Sequence, residues 1–140
     1  MKILLAADGS SYTKKALAFL VTHEGLAGKK DELVVLHVQA PISPRVKTMV
    51  GNDVIAQYHR EEADAVLAPI DTFLKRHEIP FTCRWVVGSP CDEILNAATV
   101  EGAQLIVMGT HGQGLVNRFF MGSIAQRVVA RAEVPVLLVK

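Results

Sequence analysis

Four glycines and a serine, Gly109, Gly112, Gly114, Gly122 and Ser123, carry the clearest chemical signal in the chain. They punctuate one segment between an apolar run at residues 104–108 and a helical pattern at residues 124–131. The run reads as a buried strand, so the glycines lie on a strand-to-helix loop. A loop without side chains can bring bare backbone N–H groups against an anion. The helix start that follows adds partial positive charge. Ser123 stands where a hydroxyl can cap the helix or meet a phosphate oxygen. This spacing fits a phosphate cradle. It also fits a plain glycine turn before a capped helix, since glycine spacing alone does not distinguish the two.

The rest of the chain must position that loop. Residues 2–7 form a short apolar run, typical of a central parallel strand. Asp8, Gly9, Ser10 and Ser11 follow as a turn and cap cluster. A helix then presents Ala16, Leu17, Phe19, Leu20 and Val21, and Gly25 and Gly28 stop it. Residues 32–38 read as a second strand, and residues 42–53 as a long loop, mobile without ligand and more ordered with it. A helical stretch covers residues 54–77, with a kink or break expected at Pro69. Within it Tyr58, Ala65, Leu67, Ala68, Phe73 and Leu74 are the apolar positions, and Glu61, Glu62, Asp64 and Asp71 read as a solvated face. Residues 81–87 make a third strand. Ser89 and Pro90, followed by Asp92 and Glu93, announce a helix that Gly102 ends. After the glycine loop and its helix, an apolar run bounded by Val134 and Val139 is the fifth strand.

Strands and helices thus alternate strictly. Alternation of this kind builds a parallel sheet with helices on both faces. The expectation is one α/β domain over residues 1–140, doubly wound around five parallel strands. Ligands of such sheets bind beyond the carboxyl ends of the strands, where the strand order reverses. Asp8 and Gly109 each end a strand, so strands one and four are expected side by side.

Bulk numbers narrow the classes. With 140 residues, half of them apolar, the chain can bury a proper core. A net charge of +1 leaves no electrostatic footprint for nucleic acid or an anionic membrane. No apolar run reaches the length of a membrane span. The N-terminal run is too short for an export signal, so the cytoplasm is expected. Cys83 and Cys91 lack metal spacing and read as free thiols.

The spacing Gly109-x2-Gly112-x9-Gly122-Ser123 resembles the nucleotide-binding signature of the universal stress protein family, in its ATP-binding branch. Residues 3–10, ending in Asp8, Gly9 and Ser10, resemble its first strand and turn. Residues 35–38, 87–94 and 134–139 resemble its second strand, its Gly-x-Pro helix start and its closing strand. The resemblance implies a Rossmann-like fold of the adenine nucleotide alpha-hydrolase-like kind. It also implies an adenine nucleotide, ATP above all, with Mg2+ accompanying it. Asp8 would face the ribose and stand in the outer shell of the cation. Ala6 and Val38 would border the adenine. Gly109, Thr110, His111, Gly112, Gln113 and Gly114 would surround the phosphates, and Gly122, Ser123 and Ile124 would close that end. Many relatives carry a glycine where this chain has Leu115.

Each residue also has a structural reading. Asp8 can shape the turn or cap the first helix. His37, inside an apolar strand, reads as a hydrogen-bonded core histidine. Arg118 fits either the phosphates or the surface. Phe119, Phe120 and Met121 read as helix-packing residues. Cys91 at a helix start has no partner base beside it.

An ATP-consuming enzyme needs a base or a water-positioning group near the γ-phosphate. The loop carries no acid and no Lys of the Gly-x4-Gly-Lys kind, so hydrolysis should be slow or absent. The expectation is a stress-response regulator in which the nucleotide signals a state. Weak ATPase or phosphotransferase activity, and a nucleotide-independent dimeric interaction module, are the alternatives. A phosphoacceptor regulator would need an acid closing the third strand, where Val86, Val87 and Gly88 stand. A flavin carrier would usually have hydroxyl-rich turns after the first strand. The last strand is apolar on both faces and expected at a sheet edge, which predicts a homodimer through Val134 to Val139.

Overall fold

The computed structural model describes residues 1–23, 25–113 and 119–140. The expectations for Gly114, Leu115 and Arg118 lie outside the described residues. In chain order the elements are β1 (Lys2–Ala6), α1 (Ser11–Thr22), β2 (Glu32–Gln39), α2 (Pro44–Val50) and α3 (Asn52–Arg76). Then come β3 (Phe81–Val87), α4 (Pro90–Glu101), β4 (Leu105–Gly109), α5 (Ser123–Arg131) and β5 (Val136–Val139). The strands form one five-stranded parallel sheet in the order β3-β2-β1-β4-β5. The doubly wound α/β fold expected from the alternation is the fold observed.

The central strands β1, β2 and β4 bury both faces, while the edge strands β3 and β5 are half-buried. Ile3, Leu5, Leu33, Val35 and Val107 meet Leu17 and Leu20 of α1 and Leu67, Ile70 and Leu74 of α3. On the other face Leu4, Val34, Leu36 and Ile106 meet Ile94 and Ala97 of α4 and Ala125 and Val128 of α5. So α1 and α3 cover one face, and α4 and α5 the other. Going β1, β2, β3 the chain steps one way across the sheet; β4 and β5 continue the other way. The reversal falls between β1 and β4, which pair directly from Ile3 to Leu105.

Several local expectations fail for identifiable reasons. Residues 42–53 are mostly helical. Ser43 Oγ accepts from Val46 N at 3.4 Å, Pro44 takes the first turn, and Gly51 at φ 87° ends α2. None of α2 is buried, so its helix has no apolar periodicity to read. Of the kink or break expected near Ala68, the break does not occur: α3 is continuous through Pro69 over its 25 residues. Ala65 and Pro69 are both exposed, so the carbonyl that loses its N–H partner faces solvent. Ala65 and Ala68 are exposed too, and Ile55, His59 and Ala63 join the buried stripe instead. The first helix stops at Thr22, before Gly25, where Thr22 Oγ1 bonds the Ala18 carbonyl at 2.8 Å. Ser89 makes no side-chain cap to α4. Phe119 and Phe120 are 91% and 69% exposed, which corrects their assignment to helix packing; Met121 does pack against the core. Both cysteines are free. Burial, with Asp71 adding to it, pushes the Cys83 thiol up to about 11.

Leu4 is fully buried between the sheet and α4. Replacing it with alanine should cost about 2–5 kcal/mol of unfolding free energy in a denaturant titration. Met49→Ala, on the exposed face of α2, should stay within about 0.5 kcal/mol of the wild type.

Candidate functional site

The strand ends at the order reversal are left uncovered, and a crevice of about 760 Å3 opens there. That volume suits a small organic ligand. Its floor is Ala6 at the end of β1, Asp8 just after it, and His37 and Val38 of β2. Tyr58, Glu62 and Val66 of α3 wall one end. The glycine loop, from Gly109 to Gln113, and the start of α5, from Gly122 to Ala125, wall the other. Every described residue expected at the site borders this crevice: Ala6, Asp8, Val38, Gly109, Thr110, His111, Gly112, Gln113, Gly122, Ser123 and Ile124.

Asp8 does not cap α1; Ser10 does, accepting from Thr13 N. Asp8 shapes the turn before it. Its Oδ1 accepts from Ser10 N at 2.9 Å and from Thr13 Oγ1 at 3.0 Å. Thr13 Oγ1 in turn accepts from Asp8 N at 3.1 Å. One carboxylate oxygen is thereby committed to the fold. The other lies under the glycine loop: a Cβ on Gly112 would stand 2.7 Å from Asp8 Oδ2. Gln113 Nε2 adds a bond to the Asp8 carbonyl at 2.9 Å. The loop after β4 is therefore fastened onto the turn after β1.

The loop is also closed at its base. Gly122 N donates to the Thr110 carbonyl at 2.8 Å, and Thr110 N to the Val139 carbonyl at 3.0 Å. His111 bonds Thr110 Oγ1 through Nδ1 at 2.9 Å and the Phe120 carbonyl through Nε2. Its ring also meets Tyr12, 5.0 Å away. Both ring nitrogens are thus engaged by the loop itself. At Gly109 a Cβ would lie 2.4 Å from Tyr12 Cβ, so only glycine lets β4 run this close to α1.

Three helices begin near the crevice, and they are satisfied differently. α1 has its Ser10 cap. α4 opens with Pro90 and with Asp92 and Glu93 in its first turn. α5 has neither: no side chain caps it at Gly122, and its first turn holds no acid. Its leading residues, Ser123 and Ile124, border the crevice, and among the described residues no side chain caps their N–H groups. An anion supplies what this helix start lacks. Among the described residues no group of three or more His, Cys, Asp or Glu side chains could hold a metal ion.

Sequence reasoning placed His37 in the core, and it is buried, with Nδ1 2.8 Å from the Ala7 carbonyl. It missed that His37 also borders the crevice, along with Tyr58 and Glu62. Alternation along β2 could have signalled it: His37 shares a face with Leu33 and Val35, one step beyond the last apolar position.

If the glycine loop and the Asp8 turn are fastened as described, Gly112→Ala should force them apart. The expected cost is about 1–3 kcal/mol. In a double-mutant cycle with Asp8→Ala, the two effects should be clearly non-additive; additive effects would separate the two loops.

Comparisons with known proteins agree over the full length. The family model described as the universal stress protein family matches residues 1–140. A universal stress protein from Thermus aquaticus, encoded in a sulfhydrylase 3′ region, is 36% identical over 139 residues, covering 99% of this chain and 97% of its own. The hypothetical protein MJ0577, from Methanocaldococcus jannaschii, superposes with a TM-score of 0.84 at 29% identity, covering 99% and 94% of the two chains. The universal stress protein of Archaeoglobus fulgidus in complex with dAMP superposes at 0.70 with 26% identity, covering 100% and 98%.

Proposed function

The chain belongs to the universal stress protein family, and from that premise we propose that it binds an adenine nucleotide, ATP, in the crevice over β1 and β4. The observation that carries this is the uncapped, acid-free start of α5 opening into that crevice. A phosphate there meets the N–H groups of Ser123 and Ile124 and the positive end of the helix. The Archaeoglobus fulgidus relative was solved with dAMP, which supports the same ligand class here. In this reading the phosphates lie among Gly109, Thr110, His111, Gly112, Gln113 and Gly122. Asp8 faces the ribose, and Ala6 and Val38 border the adenine.

Mg2+ comes with the nucleotide. The residues present fit it only through the phosphates and water, with Asp8 in the outer shell, because one Asp8 oxygen already holds Ser10 N and Thr13 Oγ1. Hydrolysis is slow or absent. His111 is the one titratable side chain among the described residues of the glycine loop, and its ring nitrogens bond Thr110 and the Phe120 carbonyl. The bound nucleotide then acts as a state signal in a stress response rather than as a consumed substrate. The protein works in the cytoplasm, without nucleic acid, as a single-domain protomer. Among the described residues no helix is long and apolar enough to cross a membrane.

A homodimer through β5 completes the proposal. β5 is an edge strand. The carbonyls of Pro135 and Val139 accept from β4, so by alternation the N–H groups of Val136 and Leu138 face the open edge. A second copy of the strand satisfies them.

Ser123→Asp places a carboxylate where the phosphate is held while favouring the helix start. Calorimetric titration should find ATP binding weakened at least tenfold, roughly 1.4 kcal/mol, with the melting temperature unchanged. Equal affinity would remove α5 from the site. Steady-state phosphate release should fall far below the ~10 s⁻¹ of a typical enzyme. Leu138→Pro, which deletes one edge donor, should sediment as a monomer where the wild type sediments as a dimer; a wild-type monomer at micromolar concentration would count against the β5 interface.

A further inference from the structure

We infer that His37 touches the ligand: its Nε2 accepts a hydrogen bond from a neutral donor of the nucleotide, a ribose hydroxyl or the amino group of the base. The inference rests on the nucleotide reading above and extends it to a residue on the opposite face of the sheet from α5.

His37 is 7% exposed, and what it exposes borders the crevice. Its Nδ1 lies 2.8 Å from the Ala7 carbonyl. A carbonyl can only accept, so Nδ1 carries the proton. In the neutral ring Nε2 is then a bare acceptor. No described residue donates to it. Nor is it sealed in the interior, because the one fully enclosed side-chain nitrogen or oxygen without a hydrogen-bond partner among the described residues is Arg84 Nε. The open space that His37 borders is the crevice. A side chain serving the core alone has no need of such an acceptor: Leu33 and Val35, on the same face of β2, are apolar. Water can reach this acceptor in the open crevice, so a ligand that fills the crevice has to bring a donor in its place.

The surroundings specify the kind of donor. Glu62 of α3 borders the same end of the crevice and forms no ion pair among the described residues. The α3 end therefore offers acceptors, and the α5 end offers N–H donors. A nucleotide has the complementary polarity, acceptor oxygens on its phosphates and donors on its sugar and base. A neutral imidazole nitrogen and a carboxylate both repel phosphate oxygens, so the pair also fixes which way round the ligand lies. His37 at the floor, beside Ala7 and Asp8, is the acceptor that the protein holds rigidly.

Asparagine at this position keeps a donor for the Ala7 carbonyl and carries nothing at the place of Nε2. His37→Asn should melt with the wild type and bind ATP about tenfold more weakly. Three analogues, lacking the 2′-hydroxyl, the 3′-hydroxyl or the 6-amino group, identify the donor. Wild type should lose affinity for one of them, and His37→Asn should be indifferent to that one. His37→Asn binding ATP as tightly as the wild type would overturn the inference. A wild type that binds no adenine nucleotide would instead overturn the nucleotide reading, and this inference with it. Nitrogen NMR of the wild-type imidazole needs no variant. The His37 Nε2 resonance should move when ATP is added, and an unmoved resonance in a protein that binds ATP also overturns the assignment.

Discussion

Two strands that lie side by side but lead in opposite directions set the terms for everything else. β1 hands the chain to α1 on one face of the sheet, and β4 hands it to α5 on the other. No helix can cover the gap between those departures. The carboxyl ends of β1 and β4 are left with turns, not packing, above them. Polar backbone concentrates there, and so does the only start among these helices that has neither a cap nor an acid.

The two turns have to fit each other before they can fit a ligand. Asp8 spends one oxygen on its own turn and sits with the other beneath Gly112. Gln113 ties the same turn from above. Gly109 lets β4 pass Tyr12 at a distance no side chain would allow. The glycine spacing that reads as room for phosphate is thus also room for neighbouring backbone and side chains. Both demands fall on the same residues, so the site is assembled and held open by the contacts that fold the loop.

How much of this was legible follows from which forces leave a pattern in sequence. β1, β2 and β4 were readable as apolar runs because both their faces are buried, and the half-buried edge strands β3 and β5 were readable from their β-branched, aromatic and aliphatic residues. The glycine loop was readable because close approach leaves only glycine. α2 was not: none of it is buried, so no periodicity marks it, and its length looked like a loop. Pro69 suggested a kink or a break, yet α3 continues through it on an exposed face, where the freed Ala65 carbonyl can meet water. Phe119 and Phe120 were assigned to packing on residue type, while the structure leaves them in solvent. His37 was half legible. Its burial and a hydrogen bond were expected, but which nitrogen stayed bare depends on the Ala7 carbonyl, brought alongside just after β1.

The central claim is that backbone N–H groups at the start of α5 hold the phosphates of an adenine nucleotide. Amide NMR during titration with ATP and Mg2+ tests it most directly. The account predicts that the Ser123 and Ile124 amide resonances shift in a saturable way, well ahead of amides at the start of α4. Saturable binding of ATP that leaves both resonances in place would contradict it.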